Sequence, residues 1–187
     1  GLLALMLAER CECGIESVEI DMPSYFQAKS NCEQSEWSNR LHVIHSDIRT
    51  FFSEKKYDVI ICNPPFFEHH LRSPYEAKNK AKHADNLPLE TLIKVVKNFL
   101  RQHGIFSVLL PTSQLKRLAA SAHEYGLYLQ QEVTIRANPY KQFTRAIYIF
   151  YAIQKGHHTS STLTIQDEAG NYTHDFLQLM RPYYLHL

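Results

Sequence analysis

Asn63-Pro64-Pro65-Phe66 closes the apolar run Tyr57-Asp58-Val59-Ile60-Ile61-Cys62, at the point where a buried strand should stop. Proline cannot donate to a sheet ladder and fixes φ, so two in a row hold the following loop stiff. Stiff loops at the carboxyl ends of strands are where open α/β sheets bind ligands. The side-chain oxygen of Asn63 and the carbonyl of Pro64 are acceptors suited to the N–H groups of a planar amine. Phe66 can stack on the ring that carries that amine. Such a set suits methylation of an exocyclic amino group. An aromatic amine is a poor nucleophile because its lone pair is delocalised, and two acceptors on its N–H groups favour a pyramidal nitrogen. An amide takes no proton near neutral pH, so Asn63 would act by positioning and by stabilising charge that develops on nitrogen. Strand-then-Pro-Pro is also an ordinary turn, so the rest of the chain has to decide.

Two carboxylates stand at matching places earlier in the chain. Glu19, followed by Ile20, ends a short apolar strand, where doubly wound folds keep an acid for the ribose hydroxyls of a nucleoside cofactor. Asp21 competes for that role, although its place before Pro23 also suits a helix cap. Asp47 follows the next strand in His45-Ser46-Asp47 and is a candidate acceptor for an adenine amine, or a plain turn residue. Gly1 reads as the last glycine of a loop that precedes the first helix. The strand and earlier glycines of that loop are then expected upstream of Gly1. Without them two ladder edges would stay unpaired, at about 1–3 kcal/mol per orphaned group, and cofactor binding would suffer.

Phe67 to Asn86 is polar, rich in His and Lys, and without periodicity. A long loop of this kind inside a domain is often a functional lid. Phe67, Arg72, Lys80, Lys82 and His83 are its candidate substrate contacts, since a local run of cations suits phosphate. His69-His70 is a poor metal pair because adjacent His residues rarely converge on one ion, and no metal is expected.

The elements that must position these groups follow from hydrophobic spacing. Helices are expected over Leu2–Arg10, Met22–Asn31, Leu89–Leu100 and Leu115 to about Gly126, with Gly104 as a helix stop. Strands are expected at Ser17–Ile20, Leu41–His45, Tyr57–Cys62, Ile105–Leu110, Gln131–Arg136 and Ala146–Ile153. The Tyr57–Cys62 run has the pattern of a strand covered on both faces. Only Ala137–Arg145 separates the last two strands, too little for a crossover, so they should pair antiparallel. Strands alternating with helices argue an α/β fold with a mostly parallel sheet. The 187 residues, 44% of them hydrophobic, suffice for one domain with a real core, taken as 1–187 and incomplete at its N-terminus. A net charge of +1 gives no global attraction to nucleic acid, so any such contact must be local. The four cysteines (Cys11, Cys13, Cys32, Cys62) fit neither a zinc ribbon nor a disulfide framework and read as free thiols. With no membrane-length apolar run, a cytoplasmic protein is expected.

Taken with these residues, the pattern resembles the class I methyltransferase fold, in which the last strand inserts antiparallel, and Asn63–Phe66 resembles the N-P-P-[YF] motif of amino-methyltransferases. Asn63 through Arg72-Ser73-Pro74, then Ala81-Lys82-His83-Ala84-Asp85 into Leu87-Pro88-Leu89-Glu90, is similar to the bacterial tRNA1(Val) adenine-37 N6-methyltransferases. Phe106–Pro111 and the ending Asn171-Tyr172-Thr173 to Tyr184-Leu185 are similar to that family as well. The resemblance implies S-adenosylmethionine as cofactor and N6 of the adenine beside a tRNA anticodon as target. It implies that Gly1, Glu19, Ile20, Asp47 and Asn63 serve the cofactor, and that Asn63, Pro64, Pro65 and Phe66 serve the flipped base. It further implies a tRNA anticodon stem-loop as partner of a protein without membrane or metal, expected to be a monomer. Ribosomal RNA guanine-N2 and release-factor glutamine-N5 methyltransferases carry related tetrads and are the enzyme alternatives. A non-catalytic RNA-binding module is the alternative outside enzymes.

Overall fold

The computed structural model describes residues 1–64 and 87–184. It divides into two compact units, Gly1–Glu54 and Lys55–Leu187.

The first unit is built on a parallel strand pair. Helix α1 (Leu2–Arg10) leads to β1 (Ile15–Glu19), then α2 (Met22–Glu33) and β2 (Leu41–His45). Strands β1 and β2 run parallel, with Ile15 opposite Leu41 and Glu19 opposite His45. The intervening helix makes that parallel connection possible. Ala4, Ala8, Cys32 and Leu41 form the core, with Leu5, Ile15, Trp37 and Val43 against it. Helix α1 therefore buries its alanines, while Leu2 stays 70% exposed. Arg40 holds the end of this helix: its guanidinium donates to the carbonyls of Ala8, Cys11 and Cys13. The Ala8 carbonyl would otherwise be an orphan of the last turn. Cys11 and Cys13 are joined by a disulfide, which corrects the reading of four free thiols; Cys32 and Cys62 are free.

The second unit carries a five-stranded sheet in the order β3-β4-β6-β5-β7. Its elements are β3 (Tyr57–Cys62), α3 (Leu89–Phe99), β4 (Leu100–Pro111), α4 (Leu115–Glu124), β5 (Tyr128–Arg136), β6 (Arg145–Tyr151), β7 (Thr159–Thr164) and α5 (His174–Met180). Strands β3 and β4 are parallel, β6 inserts antiparallel to both β4 and β5, and β7 returns parallel to β5. The antiparallel β5–β6 pair and the inserted strand are as the sequence predicts. Leu92, Ile93 and Val96 of α3 and Leu118 and Ala122 of α4 pack with Phe106, Val108, Leu110, Ala146, Tyr148 and Phe150 of the central strands. At a few tens of cal/mol per Å² of apolar area, these fully buried side chains are the main favourable term of this unit.

Two details differ from the sequence reading. Helix α3 ends at Phe99, and Gly104 is not its stop but lies inside β4. A Cβ there would sit 2.6 Å from Leu100 Cγ, so the glycine serves a close side-chain approach, not a helix stop. Strand β3 is not covered on both faces. Its Ile60 and Cys62 pack on the core, but Val59 is 51% and Ile61 38% exposed. Val59 and Ile61, two residues apart, share the face turned away from that core, and among the described residues β3 pairs only with β4. Helix α4 does stop at a glycine. Gly126 has φ +68°, and the amides of Gly126 and Leu127 donate back to His123 and Ala122, the arrangement that favours glycine past a helix end. No helix among the described residues is long and apolar enough to cross a membrane.

Candidate functional site

In the first unit, the parallel register brings the ends of β1 and β2 side by side, so the residues that follow them share one edge. Glu19 is the last residue of β1 and half-buried; its Oε1 accepts the backbone N–H of Asp21 at 2.9 Å. Its Oε2 has no hydrogen-bond partner among the described residues. A carboxylate fixed through one oxygen and open at the other is chemically suited to a ribose diol. Asp21 is the N-cap of α2, accepting the Ser24 N–H at 2.9 Å with Pro23 in the first turn. That bond holds the Asp21 carboxyl below its ordinary range. Asp21 is thus taken by the helix, the cap that its position before Pro23 suggests. The Ile20 carbonyl accepts the Nε2–H of His45 at 3.0 Å, and the Ile20 side chain is 44% exposed. Tyr25 of α2 lies against the same His45 ring at 5.3 Å.

Asp47 opens a turn just past β2: its carbonyl accepts the amides of Thr50 and Phe51. Its carboxylate is gripped by Arg49 through the backbone N–H (2.9 Å), Nε (2.9 and 2.8 Å) and a salt bridge from Nη2 at 2.6 Å. The same contacts lower the Asp47 carboxyl below the usual range. Arg49 was not a candidate in the sequence. Gly1 is the N-cap of α1. A Cβ on Gly1 would meet Ala28 Cα and Cβ of α2 at 3.1 Å, so the first turn of α1 comes close to α2 there.

In the second unit, Asn63 and Pro64 leave the carboxyl end of β3, Asn63 exposed and Pro64 half-buried. Parallel pairing with β4, Cys62 opposite Val108, fixes the strand beneath them. Burial pushes the thiol of the preceding Cys62 up to about 11, so it stays protonated at neutral pH and is neither nucleophile nor base. Pro65, Phe66, Phe67, Arg72, Lys80, Lys82 and His83 lie outside the described residues.

The residues fit a nucleoside cofactor in part. Glu19 has an acceptor to offer a ribose, whereas Asp47 would have to share its carboxylate with Arg49.

Comparison with known proteins identifies the family and the fold. Residues 1–115 match the family described as Methyltransferase small domain. A tRNA1(Val) (adenine(37)-N6)-methyltransferase of Pseudoalteromonas translucida is 36% identical over 99% of this chain and 79% of its own length. Proteins of the same name from Dyadobacter fermentans and Bacteroides thetaiotaomicron are 37% and 34% identical, each over 79% of its own length. Among solved structures, a predicted O-methyltransferase from Agrobacterium tumefaciens superposes with a TM-score of 0.71 at 14% identity, covering 94% of this chain and 81% of that one. A methyltransferase from Pyrococcus furiosus gives 0.56 at 18% identity, over 82% of this chain and 70% of that one. These structural likenesses carry the class I methyltransferase fold. With its N-P-P-F tetrad at the end of β3, its acid at the end of β1 and relatives of this identity and coverage, the chain belongs to the tRNA1(Val) (adenine(37)-N6)-methyltransferase family of S-adenosylmethionine-dependent enzymes.

Proposed function

We propose that this protein methylates the exocyclic N6 amine of adenine 37 in a tRNA, reading the anticodon stem-loop as a monomer in the cytoplasm and using no metal. The observation that carries the reading is Asn63, exposed, with half-buried Pro64 after it, at the carboxyl end of a parallel strand in a chain of this family. S-adenosylmethionine, when bound, supplies a methyl group activated by a sulfonium. The chain's own residues bind and orient. Glu19 accepts from the ribose hydroxyls, with Gly1, Ile20 and Asp47 as the further cofactor contacts. The Asn63 side-chain oxygen and the Pro64 carbonyl accept the two N–H groups of the target amine, and Pro65 keeps the turn stiff. Phe66 replaces the stacking that the adenine loses when it leaves the loop. Phe67, Arg72, Lys80, Lys82 and His83 contact the RNA around it. Neither Asn63 nor the protonated Cys62 takes the proton released from nitrogen, so it leaves to water.

The reading is tested by incubating the protein with methyl-labelled S-adenosylmethionine and, separately, unfractionated tRNA, ribosomal RNA and release factor. Label is expected in tRNA alone and is expected to disappear with Asn63→Ala. Label in ribosomal RNA or in the release factor would contradict it.

A further inference from the structure

We propose that the turn between β5 and β6, residues 137–144, is a docking surface for the RNA strand that carries the target base, with Tyr140 as a stacking ring and Lys141 as its phosphate contact; the proposal rests on the tRNA reading above.

The sequence Asn138-Pro139-Tyr140-Lys141-Gln142-Phe143-Thr144-Arg145 interleaves aromatic and basic residues without an acid. Register places this turn at the same end of the sheet as Asn63. Cys62 lies opposite Val108, Val108 opposite Tyr148, and the β4–β6 ladder closes on Pro111 opposite Arg145. Two strand spacings across and about two residues along give roughly 12 Å between the backbones of Asn63 and Arg145. That is a reach of a few nucleotides, so a strand whose target amine sits at Asn63 passes the turn.

The backbone of the turn is pinned from several sides. Thr112 donates its N–H to the Thr144 carbonyl at 3.1 Å and its hydroxyl to the Phe143 carbonyl at 3.0 Å. The Arg136 guanidinium lies 5.3 Å over the Phe143 ring and donates through Nη1 to the Pro139 carbonyl at 3.3 Å, while its Nε donates to Thr164 Oγ1 at 2.9 Å. The Gln166 amide donates to the Ala137 carbonyl at 2.8 Å. At the tip, Asn138 accepts the Tyr140 amide through Oδ1 and the Lys141 amide through its carbonyl. Above this fixed backbone the Tyr140 ring is 74% exposed. Its hydroxyl and the Lys141 ammonium have no partner among the described residues. A large apolar ring held in water on a rigid support loses little freedom on stacking. Single-stranded RNA is recognised by unstacked bases laid on aromatic side chains, with cations on the backbone. Sequence-tolerant stacking of this kind suits a base next to the target.

The test uses fluorescence anisotropy with an anticodon stem-loop RNA over a range of salt, beside steady-state methylation of the same RNA. Tyr140→Ala is expected to raise Kd and KM about tenfold, as loss of one base stack does, with kcat and S-adenosylmethionine affinity unchanged. Tyr140→Trp is expected to restore RNA affinity, which a structural role for the tyrosine would not allow. Lys141→Ala is expected to lower the slope of log K against log salt by about one. Wild-type RNA affinity and KM in both alanine variants would overturn the docking surface while leaving the reaction assigned. Failure of the wild-type protein to methylate any tRNA would overturn the reaction and this surface together.

Discussion

On the proposed function, Asn63 is the residue on which the chemistry turns. Exposed just past β3, it cannot ionise, so its proposed contribution is transition-state positioning and charge stabilisation. Such donors and acceptors are typically worth 10²–10³ in rate. Asn63→Ala is therefore expected to lower the rate of the methyl-transfer step about 100-fold, measured by single-turnover methylation at saturating S-adenosylmethionine. Cys62, one residue earlier, has its thiol raised to about 11 by burial. Cys62→Ala is expected to leave the pH–rate profile between pH 6 and 9 unchanged apart from scale; a lost ionisation in that range would give the thiol a catalytic role that its burial argues against. At this scale the positions of Glu19, Asp21 and Asn63 relative to their strands and helix were legible. The cap at Asp21 follows from the helix-cap rule, which is local in sequence, and the structure keeps Asp21 for Ser24. The Asp47–Arg49 grip was not legible, because any acid after a strand is a plausible turn residue and nothing marks the arginine beside it as its partner. The disulfide between Cys11 and Cys13 was misread for the opposite reason: composition argued for free thiols, and the tight geometry after α1 is not visible in composition.

At the scale of elements, packing and capping set what each segment contributes. Tyr148 of β6 is fully buried, and its hydroxyl has no hydrogen-bond partner among the described residues. Burial, with the nearby Glu132 charge second, pushes that hydroxyl up to about 12. An unpaired buried hydroxyl costs about 1–3 kcal/mol, so Tyr148→Phe is expected to be neutral or to stabilise by about 1 kcal/mol in urea unfolding. A loss of more than that would mean the hydroxyl has a partner. Leu118 of α4 is likewise fully buried, and Leu118→Ala is expected to cost about 3 kcal/mol by the same measurement. Helix α5 depends on Thr173, whose Oγ1 accepts the Phe176 N–H and donates to the Thr164 carbonyl. Thr173→Ala is expected to cost about 1 kcal/mol. The antiparallel β5–β6 pair was readable from the shortness of its loop, and the stripe of α3 from its spacing. What sequence missed depends on neighbours. A continuous apolar run cannot reveal that Val59 and Ile61 are exposed among the described residues, and Gly104 cannot reveal that its role is to admit the Leu100 side chain.

For the whole molecule, the order of strands and helices was legible because α/β connections leave few topologies open. Two parallel strands with intervening helix make the first unit, and a mixed sheet with β6 inserted antiparallel makes the second. Composition was silent on function: a net charge of +1 marks no nucleic-acid binder, and RNA contact has to be sought in local patches such as the β5–β6 turn. The family match, by contrast, runs through both units over residues 1–115, and curated relatives match over 99% of the chain. Nucleoside mass spectrometry, mapped to position, on tRNA from cells with and without the gene decides whether the protein methylates adenine 37. N6-methyladenosine is expected to disappear from position 37 of a single tRNA, to return with the wild-type gene and not to return with Asn63→Ala. Unchanged N6-methyladenosine at position 37 in every tRNA of the deletion strain would contradict that activity.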